Sequence, residues 1–122
     1  MGSRFSAEAT VEVLAPEGLV PPGDGTAITV WRTAGDLEAQ IAARRPGTSL
    51  VVVSDGLSQL EAASVGAAIA AAGLDVIEVR FGRWDGETES SLSAACRAVV
   101  AGFGAAGVAA VVSFLTAETS GL

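Results

Sequence analysis

The fold is decided by residues 47–61, which read Gly-Thr-Ser-Leu-Val-Val-Val-Ser-Asp-Gly-Leu-Ser-Gln-Leu-Glu. Residues 50–53 are an unbroken apolar run, typical of a parallel strand that is buried on both faces by helices. Ser58, followed three residues later by Glu61, has the spacing of a capping box and marks the start of a helix. The stretch therefore predicts a strand followed by a crossover helix, the unit from which parallel α/β sheets are built.

The residues before this stretch predict two strands and one helix. Residues 10–14 alternate between apolar and polar side chains, and residues 27–31 form a second strand candidate. Residues 15–25 hold three prolines and three glycines, which predicts a loop between these strands. Thr33 then marks a helix start, and this helix is expected to continue to residue 45.

The residues after the stretch continue the alternation of helices and strands. The helix that begins at Ser58 is expected to end at Gly73 and to bury a stripe of apolar side chains, and residues 76–81 are expected to be a strand. Next we expect a loop over residues 82–87, a long helix and a final buried strand over residues 108–115. The apolar stripes of the two helices are Leu57, Leu60, Val65 and Ile69 in the first, and Leu92, Ala95, Cys96, Val99, Val100 and Phe103 in the second.

The pattern as a whole predicts an α/β fold: a three-layer, Rossmann-like domain with a mainly parallel sheet. The centre of that sheet is expected to include residues 50–53 and 108–115. Residues 1–3, Met-Gly-Ser, resemble a cloning scar, and the single domain is expected to span residues 4–122.

Composition argues against an enzyme that works on its own. The 122 residues include no His, no Tyr and no Lys. Without His the chain cannot build a Ser-His-Asp triad or a His-ligated metal site. Without Lys it cannot form a Schiff base or a P-loop. We therefore expect no catalytic, cofactor-binding or metal-binding residues.

Charge and cysteine content point to a cytoplasmic domain. The net charge of −7 disfavours nucleic acid as a partner, because phosphates would be repelled. The single cysteine, Cys96, excludes an internal disulfide and fits a reducing compartment. The sequence shows no signal peptide and no apolar run of the ~18 residues that a membrane span needs, so we expect no membrane partner.

Two short motifs lie where ligands could bind. Ser54 and Asp55 follow the buried strand, at the edge of the sheet where open α/β folds bind ligands. Asp55 could hold a metal or a hydroxyl group, or one of the two residues could instead cap the next helix.

The segment Gly102-Phe103-Gly104-Ala105-Ala106-Gly107 matches the dinucleotide fingerprint G-x-G-x-x-G. Because that fingerprint must follow a strand and open a helix, and the predicted elements have the reverse order, we expect a glycine-rich helix exit instead.

The other candidate residues have two interpretations each. Asp85, Glu87 and Glu89 could attract a divalent cation or could simply favour a helix N-terminus. Cys96 is expected to be a core thiol rather than a nucleophile. Trp84 could mark an interface or could pack on its own domain. Phe114 and Leu115 lie in the predicted final strand, whose open edge favours self-association, most simply as a two-fold homodimer.

Three segments resemble a known family. They are residues 47–53 (Gly-Thr-Ser-Leu-Val-Val-Val), 71–76 (Ala-Ala-Gly-Leu-Asp-Val) and 106–118 (Ala-Gly-Val-Ala-Ala-Val-Val-Ser-Phe-Leu-Thr-Ala-Glu). Together they resemble the structural subdomain of modular polyketide synthase ketoreductases, which typically reads G-T-W-L-V-V, then A-G-A-x-V, then A-G-V-L-S-L-L-A-x-D-E. Ser54 and Asp55, with Gly56, also resemble the fourth-strand Ser-Asp-Gly of von Willebrand A domains, but the metal motif of those domains, Asp-x-Ser-x-Ser, is absent here.

The ketoreductase resemblance implies a truncated Rossmann-like half with no cofactor of its own. In that family the structural half supports a second half that carries NADPH and the catalytic Ser, Tyr and Lys, none of which maps onto this chain. It implies a scaffold in a bacterial multienzyme of antibiotic biosynthesis, with the catalytic half or neighbouring synthase domains as partners. The alternatives are a free-standing Rossmann-like or von Willebrand A-like binding or regulatory module without a working metal site, and a small enzyme that uses Asp55 or the acidic cluster with a metal.

Overall fold

Strands and helices alternate along almost the whole described chain. The computed structural model describes residues 11–19, 27–45, 47–82 and 91–119. The elements are β1 (Val11–Pro16), β2 (Ala27–Trp31), α1 (Ala34–Ala42), β3 (Ser49–Val53), α2 (Gln59–Ala72), β4 (Asp75–Arg80), α3 (Ser91–Ala95), β5 (Ala98–Ala101) and α4 (Ala105–Thr119).

The five strands form one parallel sheet in the order β2-β1-β3-β4-β5. This is a doubly wound order, in which the direction of winding reverses between β1 and β3. The predicted α/β class with a parallel, Rossmann-like sheet is therefore confirmed. Residues 50–53 lie at the centre of the sheet as predicted, and all five residues of β3 are buried.

Helices cover both faces of the sheet, which gives three layers. One face packs against side chains of α1, α2 and α3, among them Leu37, Val65 and Leu92. The opposite face, which includes Val51 and Val79, packs against α4. Successive residues of a strand point to opposite faces, so continuous apolar strands can fill both layers.

The helix starts follow the predicted signals. The side chain of Thr33 accepts a hydrogen bond from the Asp36 N–H at 3.0 Å, at the start of α1. Ser58 and Glu61 form the complete capping box of α2, and Gly73 ends this helix with a left-handed φ of 65°. One residue of the predicted stripe is misplaced, because Leu60 is 85% exposed and lies outside the core.

The prediction of a final strand over residues 108–115 is wrong. These residues lie in α4, and their spacing explains why. Val108, Val111, Val112 and Leu115 follow the i, i+3, i+4, i+7 pattern of an amphipathic helix, and all but the half-buried Val112 are buried. The valine content of the segment suggested a strand, but its periodicity is helical.

The prediction of a long helix that continues through Phe103 is also wrong. The helix α3 ends at Ala95, and β5 follows after two residues. The Arg97 N–H donates to the carbonyl of Val76 at 2.8 Å, which adds this segment to the sheet. Gly102 and Gly104 then have φ values of 89° and 56°, a backbone conformation that cannot continue a right-handed helix.

Within the described residues, none of the helices combines the length and the apolar character needed to cross a membrane.

Candidate functional site

A small cavity lies at the carboxyl edge of the sheet, where β3 and β4 end. Ligands of open α/β sheets bind at this edge. The cavity measures about 200 Å³, whereas pockets for drug-sized ligands measure about 300–1,000 Å³. It is lined by Ser54, Asp55, Gly56, Leu57, Ser58, Gln59, Ala62, Glu78, Arg80 and Leu92.

Glu78 is a buried carboxylate in the wall of this cavity. Only 1% of its side chain is exposed. Its Oε2 accepts hydrogen bonds from Ser54 Oγ at 2.5 Å and from Arg80 Nε at 2.7 Å. Its Oε1 accepts from Ser93 Oγ at 2.8 Å. A buried charge is tolerated when donors of this kind replace the lost water, and here an ion pair and two hydroxyls do so.

Arg80 connects this carboxylate to the helix that follows. Its Nη2 donates to Ser93 Oγ at 3.0 Å while its Nε is paired with Glu78. The four side chains of Ser54, Glu78, Arg80 and Ser93 thus form one hydrogen-bonded network that joins β3, β4 and α3. We call this the Glu78 network.

Asp55 joins the ends of two neighbouring strands. Its Oδ1 accepts from the Phe81 N–H at 2.8 Å, and its Oδ2 accepts from the Gly82 N–H at 3.2 Å. The expectation that Ser54 or Asp55 caps the next helix is therefore corrected, because Ser58 caps α2. Across the described ranges of the chain, no three His, Cys, Asp or Glu side chains are grouped as metal ligands would be.

Cys96 lies beside the Glu78 network and is half-buried. Burial raises the pKa of its thiol to about 12; the negative charge of Glu78 adds to this effect and the positive charge of Arg80 opposes it. The thiol therefore stays protonated near neutral pH, and a protonated thiol is a poor nucleophile. The side chain packs against the core on the α1–α3 side, as expected of a core thiol, although it lies between α3 and β5 rather than within a helix.

The glycine segment at residues 102–107 has the order that we expected it to lack. It follows β5 and opens α4, so the expectation of a helix exit is wrong. A Cβ on Gly107 would lie 3.4 Å from Cγ1 of Val79, so this glycine allows the helix to pack closely on the sheet, as the third glycine of the fingerprint does. In the described residues no strand follows α4, so the acidic side chain that would bind a ribose in a complete dinucleotide fold is not found there.

The remaining predicted residues divide into three groups. Phe114 is 53% exposed and lies on the outer side of α4. Leu115 is completely buried against the sheet, which corrects its prediction as an interface residue. Trp84 and the acidic cluster of Asp85, Glu87 and Glu89 lie outside the described residues.

Sequence reasoning did not identify Glu78 as the centre of the site. The signal was present in the strand Asp75–Arg80, where a carboxylate interrupts apolar residues and an arginine follows two positions later. Residues i and i+2 of a strand point to the same face, so Glu78 and Arg80 were placed to form an ion pair. What the sequence did not show was that this face meets Ser54 and Ser93.

Comparison with known protein families and with curated proteins finds no match to this chain.

Proposed function

We propose that the chain is a non-catalytic structural domain that supports a separate, NADPH-binding catalytic half, in the manner of the structural subdomain of modular polyketide synthase ketoreductases. Its setting in this proposal is a cytoplasmic multienzyme of antibiotic biosynthesis. The sequence resemblance over residues 47–118 supports this assignment. Residues 108–115 form a helix and not the predicted strand. Two of the three resembling segments therefore coincide with strands: residues 47–53 contain β3, and residues 71–76 lead into β4.

The observation that carries the proposal is the internal use of the polar side chains at the carboxyl edge. Glu78 has three donors, and both carboxylate oxygens of Asp55 accept backbone N–H groups. Catalytic acids and bases need a side chain that can exchange a proton with a substrate. Because the carboxylates of Glu78 and Asp55 already connect neighbouring strands, their geometry favours a structural role for this edge of the sheet.

The experiment that tests this proposal is complementation in trans. The catalytic half of a polyketide synthase ketoreductase is expressed without its own structural half, mixed with this chain, and assayed for NADPH-dependent ketone reduction. We expect the rate to rise with the concentration of added chain and then saturate. The matched control is the same chain with Val51→Asp, which places a charge in the core. A rate no higher than that of the control would contradict the proposal.

A second candidate function is a free-standing binding module, and the glycine segment favours it. The order of β5, Gly102-Phe103-Gly104-Ala105-Ala106-Gly107 and α4 is that of a phosphate-binding turn. Titration of the isolated chain with NADPH, followed by cofactor fluorescence, separates the two candidates. The structural domain is expected to leave the fluorescence unchanged. Saturable binding that is lost in Gly104→Val would favour the binding module instead.

A further inference from the structure

The cavity at the carboxyl edge lies on the side of the sheet that α1, α2 and α3 cover. Its apolar wall consists of Leu57, Ala62 and Leu92, which all pack in the core on that side. Ala62 and Leu92 are almost completely buried. Pockets that bind small molecules combine an apolar wall of this kind with a few polar groups that fix the orientation of the ligand.

Three charged side chains line the same cavity, and together they carry one net negative charge. Glu78 and Arg80 compensate each other, since Arg80 Nε lies 2.7 Å from Oε2 of Glu78. Asp55 is different, because no arginine nitrogen of the described residues lies within 4.0 Å of its carboxylate. Its donors are the neutral backbone N–H groups of Phe81 and Gly82. The negative charge of Asp55 therefore has no cationic partner in the part of the chain that the structure describes.

The carboxylate of Asp55 also keeps acceptor capacity. An ionised carboxyl group can accept about four hydrogen bonds, and the two backbone N–H groups occupy two of these positions. The nearby start of α2 does not use the others, since Ser58 and Glu61 complete its capping box between themselves. A ligand that carries a positive charge and donates hydrogen bonds would supply what Asp55 lacks, and charge-assisted bonds are the stronger kind.

We propose that this cavity binds a small organic cation: a primary amine whose ammonium group donates to Asp55 and whose apolar body packs against Leu57, Ala62 and Leu92. The cavity of about 200 Å³ is larger than the cavity of about 150 Å³ that accommodates benzene. It therefore has room for one apolar ring or short alkyl chain with an amine attached. The net charge of −7 attracts cations to the chain and disfavours anions.

This binding goes beyond the proposed structural role and does not depend on it. The ligand would occupy the cavity without reacting, so the side chains of the wall supply contacts and no chemistry. Loss of amine binding would leave the complementation of a catalytic half unaffected, and failure of complementation would leave amine binding unaffected. The two proposals can therefore fail separately.

Benzylamine is the probe, because it joins a primary ammonium group to one apolar ring. Benzyl alcohol and benzoate have nearly the same size but are neutral and negative. We titrate the full chain with each compound at low ionic strength and follow the amide signals of Phe81 and Gly82 by nitrogen-15 NMR, since these N–H groups donate to Asp55. Benzylamine should saturate with a dissociation constant of about 0.1–1 mM. Benzyl alcohol should bind at least tenfold more weakly, and benzoate should not bind.

Asp55→Asn removes the charge and should lower the affinity for benzylamine to that for benzyl alcohol. This readout separates the lost charge from a damaged cavity, because benzyl alcohol should bind the variant and the original chain equally. The matched control is Glu118→Gln, which removes one negative charge at the opposite edge of the sheet, where Arg97 pairs with Glu118 and with the first residue of β4. Circular dichroism confirms that each variant is folded.

Gln59→Lys is a second variant that leaves Asp55 in place, so the test does not rest on the folding of Asp55→Asn. Gln59 is an exposed residue of the cavity wall, and a lysine there should weaken the binding of benzylamine several-fold. The matched control is Ala70→Lys at an exposed position about 16 Å further along α2. That distance exceeds the screening length of about 8 Å at physiological salt, so at that ionic strength the control should bind benzylamine normally.

Three outcomes would overturn the proposal. Benzylamine may fail to saturate any signal, which would show that the cavity holds only water. Benzoate could bind as tightly as benzylamine, which would exclude a site selective for cations. A preference for benzylamine over benzyl alcohol that persists in folded Asp55→Asn would show that Asp55 does not bind the ammonium group.

Discussion

Ser54 Oγ lies 2.5 Å from Oε2 of Glu78, and this hydrogen bond connects the end of β3 to the middle of β4. Glu78 would be costly to bury alone, since an ionised carboxylate loses its hydration. Ser54, Arg80 and Ser93 together replace that hydration. The Glu78 network therefore determines how β3, β4 and α3 are held together at the carboxyl edge.

Replacement of Glu78 should destabilise the fold strongly. In Glu78→Ala the guanidinium of Arg80, whose side chain is 20% exposed, loses its buried carboxylate partner. Removing one member of a buried ion pair costs about 3–5 kcal/mol. Ser54→Ala removes one hydrogen bond to a charged group and should cost about 1.5–3 kcal/mol. Urea denaturation measures both losses in the free energy of unfolding.

Glu17→Gln is the matched control for this experiment. Glu17 also pairs with an arginine, Arg32, but the two side chains are 66% and 72% exposed. An exposed pair contributes about 0–1 kcal/mol. If Glu78→Ala cost no more than Glu17→Gln, the network would not be structural.

The contact between Gly107 and Val79 should not tolerate a larger side chain. A Cβ at residue 107 would already be in van der Waals contact with Val79 Cγ1 at 3.4 Å and Val100 Cγ1 at 3.5 Å, so the two additional methyl groups of Gly107→Val are expected to displace these neighbours. Overpacking of this kind costs about 1–3 kcal/mol. Ala109→Val introduces the same side chain at an exposed position of the same helix, where it is not crowded. Valine is a better helix former than glycine but a poorer one than alanine, so helix propensity alone would favour Gly107→Val over this control. Thermal unfolding should show a lower Tm for Gly107→Val than for the control, and equal Tm values would contradict this packing.

The first half of the fold was predictable because local signals and the core agree there. The buried run of residues 50–53, the capping box at Ser58 and Glu61, and the left-handed Gly73 each identify one boundary without reference to distant residues. The crossover rule then gives the parallel sheet. The consistency of these signals explains why β1 to β4 were found.

The second half was mispredicted because spacing is ambiguous in short apolar segments. Val99 and Val100 continue the helical spacing from Leu92, yet they form strand β5, and the run from Val108 to Leu115 is a helix despite its valines. A four-residue edge strand has too few residues to show a period of two. This error also explains the wrong prediction for the glycine segment at residues 102–107. We expected a helix before it and a strand after it, whereas β5 precedes it and α4 follows.

Arg97 should keep the carboxyl group of Glu118 ionised at low pH. The hydrogen bond from the Arg97 guanidinium holds the pKa of Glu118 below its ordinary value of 4.5. Carbon-13 NMR of the side-chain carboxyl should therefore give a midpoint below that of the same group in Arg97→Gln. The same shift also affects folding stability: an acid whose pKa is lowered in the folded state stabilises the fold above its unfolded pKa, and this contribution is lost as the pH falls through the folded pKa. Equal midpoints in the two proteins would show that the pair does not form in solution.

Alkaline pH should destabilise the fold through Cys96 alone. Burial raises the pKa of this thiol from 9.0 to about 12, and the chain has no Lys, Tyr or His side chain that titrates in the same range. A group with a raised pKa in the folded state stabilises fully below its unfolded pKa, and that contribution is lost as the pH rises toward the folded pKa. The free energy of unfolding should thus be steady up to about pH 9 and then fall by on the order of 1 kcal/mol per pH unit.

Urea denaturation at about pH 8, 9, 10 and 11 measures this slope, and Cys96→Ala should abolish it, because alanine has no proton to lose. A slope that persists unchanged in Cys96→Ala would assign the alkaline loss to another group and would show that the thiol is not buried beside Glu78.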